Sequence, residues 1–304
     1  MAELVREIEE ADIPQLHDLM GIVFDDPDWT AIERLGGMTN HSYKVTRADG
    51  QEYLARIPGD GTEELINRAD ERKSTELACE LDIDSELLYF GDDGRKVMRF
   101  IADPQPMTEE VMRRPDIIGQ AAAIFRRLHT CGKDTGVRFE VFEMAELYEK
   151  IIRDGGVAFY DDYDEVKATV MAIKSAVDAD GQAPKVPCHN DSLVGNWVLG
   201  GDGRLWLIDW EYSGMNEAMW DLSCVSIEMD YDGTCDDLLL SEYYGRPATV
   251  GQKKRFVAAK LYVDYLWTLW GLTRVPFDGD FMQEYADGRY ERLKRNIEAY
   301  KELG

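Results

Sequence analysis

The apolar pattern of this chain changes period once, near residue 102, and that change restricts the folds open to it. Ahead of it, three apolar stretches at 31–35, 42–47 and 52–59 alternate in strand fashion, separated by Gly36-Gly37 and by Ala48-Asp49-Gly50. Paired glycines and Asp-Gly steps between alternating segments are hairpin signals, so the block predicts an antiparallel meander. A charged, helix-forming stretch follows at 62–81, then two more strand-like runs, 85–91 and 95–101, joined through Asp92-Asp93-Gly94. This part reads β-β-β-α-β-β, behind a helical extension over 1–28 in which Pro14 opens a short helix. After Asp103-Pro104-Gln105-Pro106, the segments 108–130, 140–153, 161–179, 252–273 and 280–302 carry helical spacing or composition. Only two strand-like runs, 197–199 and 205–208, interrupt them. The expectation is an α+β chain: a small antiparallel β-rich lobe over 1–102 and a larger, mostly helical lobe over 103–304.

Sixty acidic against 34 basic residues give a formal net charge of −26. Such a surface repels a nucleic-acid duplex or an anionic bilayer, both of which demand clustered cations, so neither is expected as a partner. A small cationic substrate is compatible with it. The five cysteines include no C-x-x-C pair, which argues against a disulfide framework or a zinc knuckle and suits a reducing cytoplasm. The first residues carry acids where a leader would carry bases, and no apolar run approaches about 20 residues, the length of a membrane span. A soluble cytoplasmic protein is expected.

The run richest in chemistry is His189-Asn190-Asp191, extended to Asn196 as H-x-D-x-x-x-x-N. A short hairpin turning at 200–203 follows, and then Leu207-Ile208-Asp209. Phosphoryl transfer of the protein-kinase type needs one carboxylate to orient an acceptor hydroxyl and take its proton. It also needs an amide oxygen and a second carboxylate to hold Mg2+ against nucleotide phosphates. Magnesium is a hard cation that keeps several waters and takes few protein oxygens, so one Asn and one Asp suffice. Asp191 is the candidate base, and Asn196 and Asp209 are the candidate metal ligands. His189 suits an orienting role better than a ligand's. No G-x-x-x-x-G-K-[ST] loop occurs, so phosphates must be met elsewhere. The turn over 35–45, with Gly37, Thr39, Asn40 and Ser42, suits backbone N–H presentation to a nucleotide. Arg56 on the third strand, with Lys44 as competitor, is the candidate phosphate cation, steadied by Glu71 or Glu76.

GGMTNHSYKV, YLARIPGDGTEELINR, KVMRFI, RRLHTCG, HNDSLVGN and LIDWEYSGMNEAMWDLS together resemble the choline/ethanolamine kinase family, specifically its bacterial LicA-type members. The resemblance spans nearly the whole chain. HND with the later Asn and Asp is shared by the wider set of aminoglycoside-phosphotransferase-like kinases, whereas IDWEYSGMNEAMWDL and GGMTNHSYKV are more specific. The resemblance implies a protein-kinase-like bilobal fold, ATP as donor, Mg2+ as cofactor and a small alcohol as acceptor. It also implies that Phe100 and Ile101 belong to a hinge meeting adenine, and it favours Arg56 over Lys44.

A quaternary ammonium makes no conventional hydrogen bond, so aromatic faces and carboxylates must recognise it. Trp267 and Trp270 are three residues apart on one helix face, and Tyr285 follows in the last helix. By spacing alone such a stripe reads as core. By resemblance, the W-x-x-W and the later E-Y-A are choline-binding aromatics, Glu228 faces the choline side and Asp221 ties the catalytic segment together. Met282 stands where eukaryotic relatives carry a second aromatic, with Tyr231 as candidate replacement. The function expected is ATP- and Mg2+-dependent phosphorylation of choline. Ethanolamine, thiamine or an aminoglycoside are alternative acceptors, and a catalytically silent, nucleotide-binding pseudokinase is the alternative of another class.

Overall fold

The computed structural model describes residues 9–36, 40–59 and 66–303. In chain order its elements begin with α1 Ile13–Val23, β1 Ala31–Arg34, β2 Asn40–Thr46, β3 Glu52–Pro58, α2 Arg68–Glu80, β4 Leu87–Phe90 and β5 Lys96–Arg99. Then follow α3 Glu109–Met112, α4 Pro115–His129, α5 Val141–Asp154, α6 Tyr163–Ala179 and β6 Lys185–Cys188. The chain continues through β7 Trp197–Leu199, β8 Leu205–Leu207, β9 Gly214–Glu217, α7 Ala218–Glu228, α8 Gly233–Tyr244, α9 Val250–Asp278 and α10 Asp280–Glu302. Two units result: residues up to Thr108 together with Gly195–Ser213, and Glu109–Val194 together with Gly214–Gly304.

In the first unit the strands form an antiparallel sheet of order β1-β2-β3-β5-β4. The two-residue period of β3 sorts its side chains. Tyr53, Ala55 and Ile57 join Leu16, Leu19 and Met20 of α1, with Tyr43, Val45 and Val97, in one core. Arg56 and, on β5, Lys96 fall on the other face, toward α2, where Glu71 meets both. Asn67 caps α2, its side chain accepting from the Ala69 and Asp70 amides.

The sequence suggests one cut near residue 102, but the chain comes back. The β7–β8 hairpin belongs to the first unit because backbone bonds tie it there: Gln105 N to Leu199 O at 2.8 Å, Gly201 N to Ala102 O at 3.0 Å and Leu207 N to Ile83 O at 3.2 Å. Buried peptide groups need partners, and a hairpin of two three-residue strands cannot supply them all itself.

The second unit is mostly helical. The expected helix over 108–130 is two, α3 and α4, because Pro115 starts a new helix at its first turn. A Thr249–Gln252 capping box opens the 29-residue α9, which turns through Gly279, at φ 62°, into α10. The antiparallel pair β6–β9 has no counterpart in the sequence reading. Its four-residue strands, one containing Pro187, lack alternation, and only their pairing defines them. That pairing sets Cys188 opposite Gly214 and Lys185 opposite Glu217, so the loop after β6 begins beside the start of β9, and α7 starts beside the first residue of β6. No helix among the described residues is long and apolar enough to cross a membrane.

Candidate active site

In the first unit, Arg56 is buried on β3 and pairs with Glu71 of α2 at 2.5 Å. Arg68 Nη1 reaches the other Glu71 oxygen at 2.7 Å, and Lys96 Nζ lies 3.4 Å from Glu71. Burial, the largest influence on Glu71, would raise its pKa; Lys96, Arg56 and Arg68 override it and hold the group at about 2. Of the two acids named from sequence, Glu71 holds Arg56; Glu76 pairs with Arg72 instead. Lys44 pairs with Glu52 at 2.7 Å and lies over the Phe100 ring.

Asp209 lies in the left-handed region at φ 68°, with Arg56 Nη1 3.7 Å from its Oδ1. That Oδ1 is buried and makes no hydrogen bond. Glu211, two residues on, accepts from Asn40 Nδ2 at 3.0 Å and lies 3.6 Å from Arg68. Burial, and then the charge of Asp209, raise its pKa. A buried oxygen without a donor beside a second carboxylate under repulsion is a donor set that a hard divalent cation completes. Asn196 belongs to the same unit and is buried; its carbonyl accepts from Ile208 N at 2.9 Å, which ties it to the residue before Asp209. The residues present fit Mg2+.

In the second unit the HND loop is held from behind by Asp221 of α7. This fully buried carboxylate accepts from the amides of His189 and Asn190, each at 2.8 Å, and from His129 Nε2 at 3.0 Å. Asn190 takes φ 70°, its carbonyl accepting from Trp220 Nε1 at 2.9 Å. His189 Nδ1 then accepts the Asp191 amide at 3.2 Å. His189 thus acts on the loop backbone, and the Asp191 side chain follows from a peptide fixed on both sides.

The aromatic residues of α9 and α10 pack edge to face. Ring centroids of Trp267 and Trp270 are 5.9 Å apart at 87°, and those of Trp270 and Tyr285 are 5.8 Å apart at 72°. Trp267 is buried, whereas Trp270 and Tyr285 are half-buried. Gly271 permits the approach: a Cβ there would meet the Tyr285 ring at 2.9 Å. Burial raises the Tyr285 phenol pKa, Arg289 opposes this, and the charges of Glu228 and Asp191 add to it. Glu228 ends α7 and takes a 2.7 Å hydrogen bond from Arg289. Met282 is buried, and the Tyr231 hydroxyl donates to Met112 O at 2.6 Å, which commits that ring to core packing.

Arg56, Asn40, Asn196 and Asp209 thus fall in the first unit, and Asp191, Glu228, Trp267, Trp270 and Tyr285 in the second. Ser42 pairs with Arg56 across β2–β3. Gly37 and Thr39 lie outside the described residues. Phe100 and Ile101 line a cavity of about 1240 Å3 whose rim includes Glu76, Glu80, Asp82, Glu86 and Asp103, and to which Arg56, Asn196 and Asp209 contribute nothing. Sequence reading missed Arg68, Lys96 and Arg289. The first was legible as an i,i+3 partner of Glu71, and the last as a charge on the apolar stripe of Met282, Ala286 and Leu293.

A model of the choline/ethanolamine kinase family matches residues 32–265. Among solved structures, a choline/ethanolamine kinase family protein from Mesorhizobium loti is 33% identical, covers 94% of each chain and superposes with a TM-score of 0.83. The choline kinase LicA from Streptococcus pneumoniae is 28% identical over 96% of this chain and 100% of its own, with a TM-score of 0.81. A LicA in complex with AMP is 27% identical over the same shares, with a TM-score of 0.79. Because the match runs through both units, from β1 to the middle of α9, the chain belongs to the choline/ethanolamine kinase family and is a small-molecule kinase of protein-kinase-like α+β fold.

Proposed function

We propose that this kinase transfers the γ-phosphoryl group of ATP to the hydroxyl of choline, with Mg2+ as cofactor. The observation that carries the reading is the edge-to-face array of Trp267, Trp270 and Tyr285 with Glu228 and Asp191 close enough for their charges to act on Tyr285. A quaternary ammonium asks for ring faces and a carboxylate, and its hydroxyl asks for a base. The LicA relatives and the AMP complex support the acceptor and the nucleotide.

In this reading Asp191 orients the acceptor hydroxyl and takes its proton as the oxygen attacks the γ-phosphorus; the bond to the bridging oxygen breaks and ADP leaves. Arg56, kept charged and in place by Glu71, steadies the donor phosphates. Asn40 and Ser42 of β2 serve those phosphates, and the backbone of Phe100 and Ile101 meets the adenine. Asn196 and Asp209, with Glu211 nearby, would hold Mg2+, which supplies neutralisation of the charge developing on the transferring group. We assign the reaction to the cytoplasm, which supplies ATP and suits a chain whose described cysteines form no disulfide.

The test is ADP release with Mg2+-ATP against choline, ethanolamine, thiamine and kanamycin. Choline should give the highest kcat/KM, and a higher value for any other acceptor overturns the substrate assignment. Asp191→Asn should bind nucleotide within a few fold of the parent and lose about 1,000-fold or more in kcat. Parental turnover in that variant removes Asp191 from the role of base, and nucleotide binding without acceptor-dependent ADP release in the parent would revive the pseudokinase.

A further inference from the structure

Among the described residues, Arg289 is the one cation placed between two of the groups assigned to the acceptor. Its side chain is 6% exposed, and its Nη2 donates to Glu228 Oε1 at 2.7 Å. The same guanidinium stands 4.5 Å from the centre of the Tyr285 ring, one helical turn earlier on α10. Nη1 is 3.6 Å from Asp264, a fully buried carboxylate of α9 that Arg292 grips through Nε at 2.9 Å and Nη2 at 2.7 Å. The result is a row of alternating charge, Glu228, Arg289, Asp264, Arg292, that joins α7, α9 and α10.

Stability alone does not account for it. Nε and Nη1 of Arg289 are buried without a hydrogen bond, and a packed apolar side chain would avoid that cost. Glu228 is also the last residue of α7, where the helix dipole disfavours a carboxylate, so its ionised side chain needs a cation to stay put. A planar guanidinium can hold a carboxylate by its edge and an aromatic ring by its face at once.

We infer that Arg289 is a positioning residue for the acceptor: it sets the Glu228 carboxylate and the Tyr285 ring at the spacing that a cationic head group requires, without touching that group itself. The inference rests on the acceptor site proposed above. Its signature is a loss of acceptor affinity with the chemical step spared.

The experiment uses the full chain and compares parent, Arg289→Gln and Arg289→Lys. Thermal melts are recorded beside steady-state constants, and tetramethylammonium chloride is titrated against tryptophan fluorescence. Arg289→Gln should raise KM for choline about tenfold or more and weaken tetramethylammonium equally, with kcat within about threefold and KM for ATP within about twofold. Arg289→Lys, which keeps the charge and loses the fork, should fall between. A folded Arg289→Gln with parental KM, or one that loses kcat at constant KM, overturns the proposal. If Arg289→Gln does not fold, Arg289→Lys is measured with and without Glu228→Gln: an effect that shrinks in the Glu228→Gln background supports positioning, and one that persists in full refutes it. A parent that neither turns over choline nor binds tetramethylammonium overturns the acceptor reading, and this inference with it. Parental activity with an unmoved variant overturns this inference alone.

Discussion

Glu71 meets three cations in a buried space, and its removal leaves Arg56 and Arg68 to their longer pairs with Asp209 at 3.7 Å and Glu211 at 3.6 Å. Breaking a buried pair costs about 3–5 kcal/mol because the remaining charge is left uncompensated. Glu71→Gln should therefore lower Tm by roughly 10 °C and weaken ATP through a displaced Arg56; a Tm within about 1 °C of the parent would show that the cluster contributes nothing. Its pKa is depressed from 4.5 to about 2, so its stabilisation is complete above 4.5 and is lost as pH falls toward 2. Asp84 has the opposite sign. Burial pushes it from 3.8 to about 7, with Lys96 opposing, while it accepts from Trp210 Nε1 at 3.1 Å. A carboxyl that keeps its proton when folded opposes folding once ionised, so its cost grows from 3.8 upward and is complete above about 7. Asp84→Asn, which retains an acceptor for Trp210, should melt higher than the parent at pH 8 and close to it at pH 4. Equal melting at pH 8 refutes the assigned burial cost. Of these residues Glu71 was legible only as one of two candidate partners for Arg56, whereas nothing local marks Asp84 as buried, since its environment is built by Trp210 and Lys96, both remote in sequence.

Elements were legible where their own periodicity decides them. The five strands of the first sheet carry alternation and turn chemistry in their own residues, and α9 and α10 carry theirs. The strands β6 and β9 do not, because four mixed residues become strands only through a partner 26 or more positions away, Cys188 against Gly214. The α9–α10 hairpin shows the same division at its aromatic row. The W-x-x-W spacing is local, but the contact of Trp270 with Tyr285 depends on the absent side chain of Gly271. Alanine there gains about 1 kcal/mol of helix propensity yet would press Cβ against the Tyr285 ring and against Ala286. Gly271→Ala should therefore keep Tm within about 3 °C while raising KM for choline about fivefold. Unchanged kinetics would mean that the Tyr285 ring has no part in acceptor binding.

Across the whole molecule the net charge of −26 sets a background of self-repulsion. Screening should relieve it: Tm is expected to rise by a few degrees between about 10 and 200 mM NaCl, and a fall would show that attractive surface pairs prevail. Inside each unit the charge is organised differently from the average, as acids and bases in alternation around Glu71 and along the row from Glu228 to Arg292. The sequence by itself determined the two kinds of secondary structure and the family, and it singled out Asp191, Asn196 and Asp209 as candidates, because period, turn residues and metal-compatible side chains are properties of short stretches. Only the tertiary structure decided that Glu71 rather than Glu76 holds Arg56, that residues 195–213 return to the first unit, and that Arg289 stands between Glu228 and Tyr285. Those outcomes depend on which buried charges find partners, and a partner distant along the chain is chosen by packing, which no local pattern encodes.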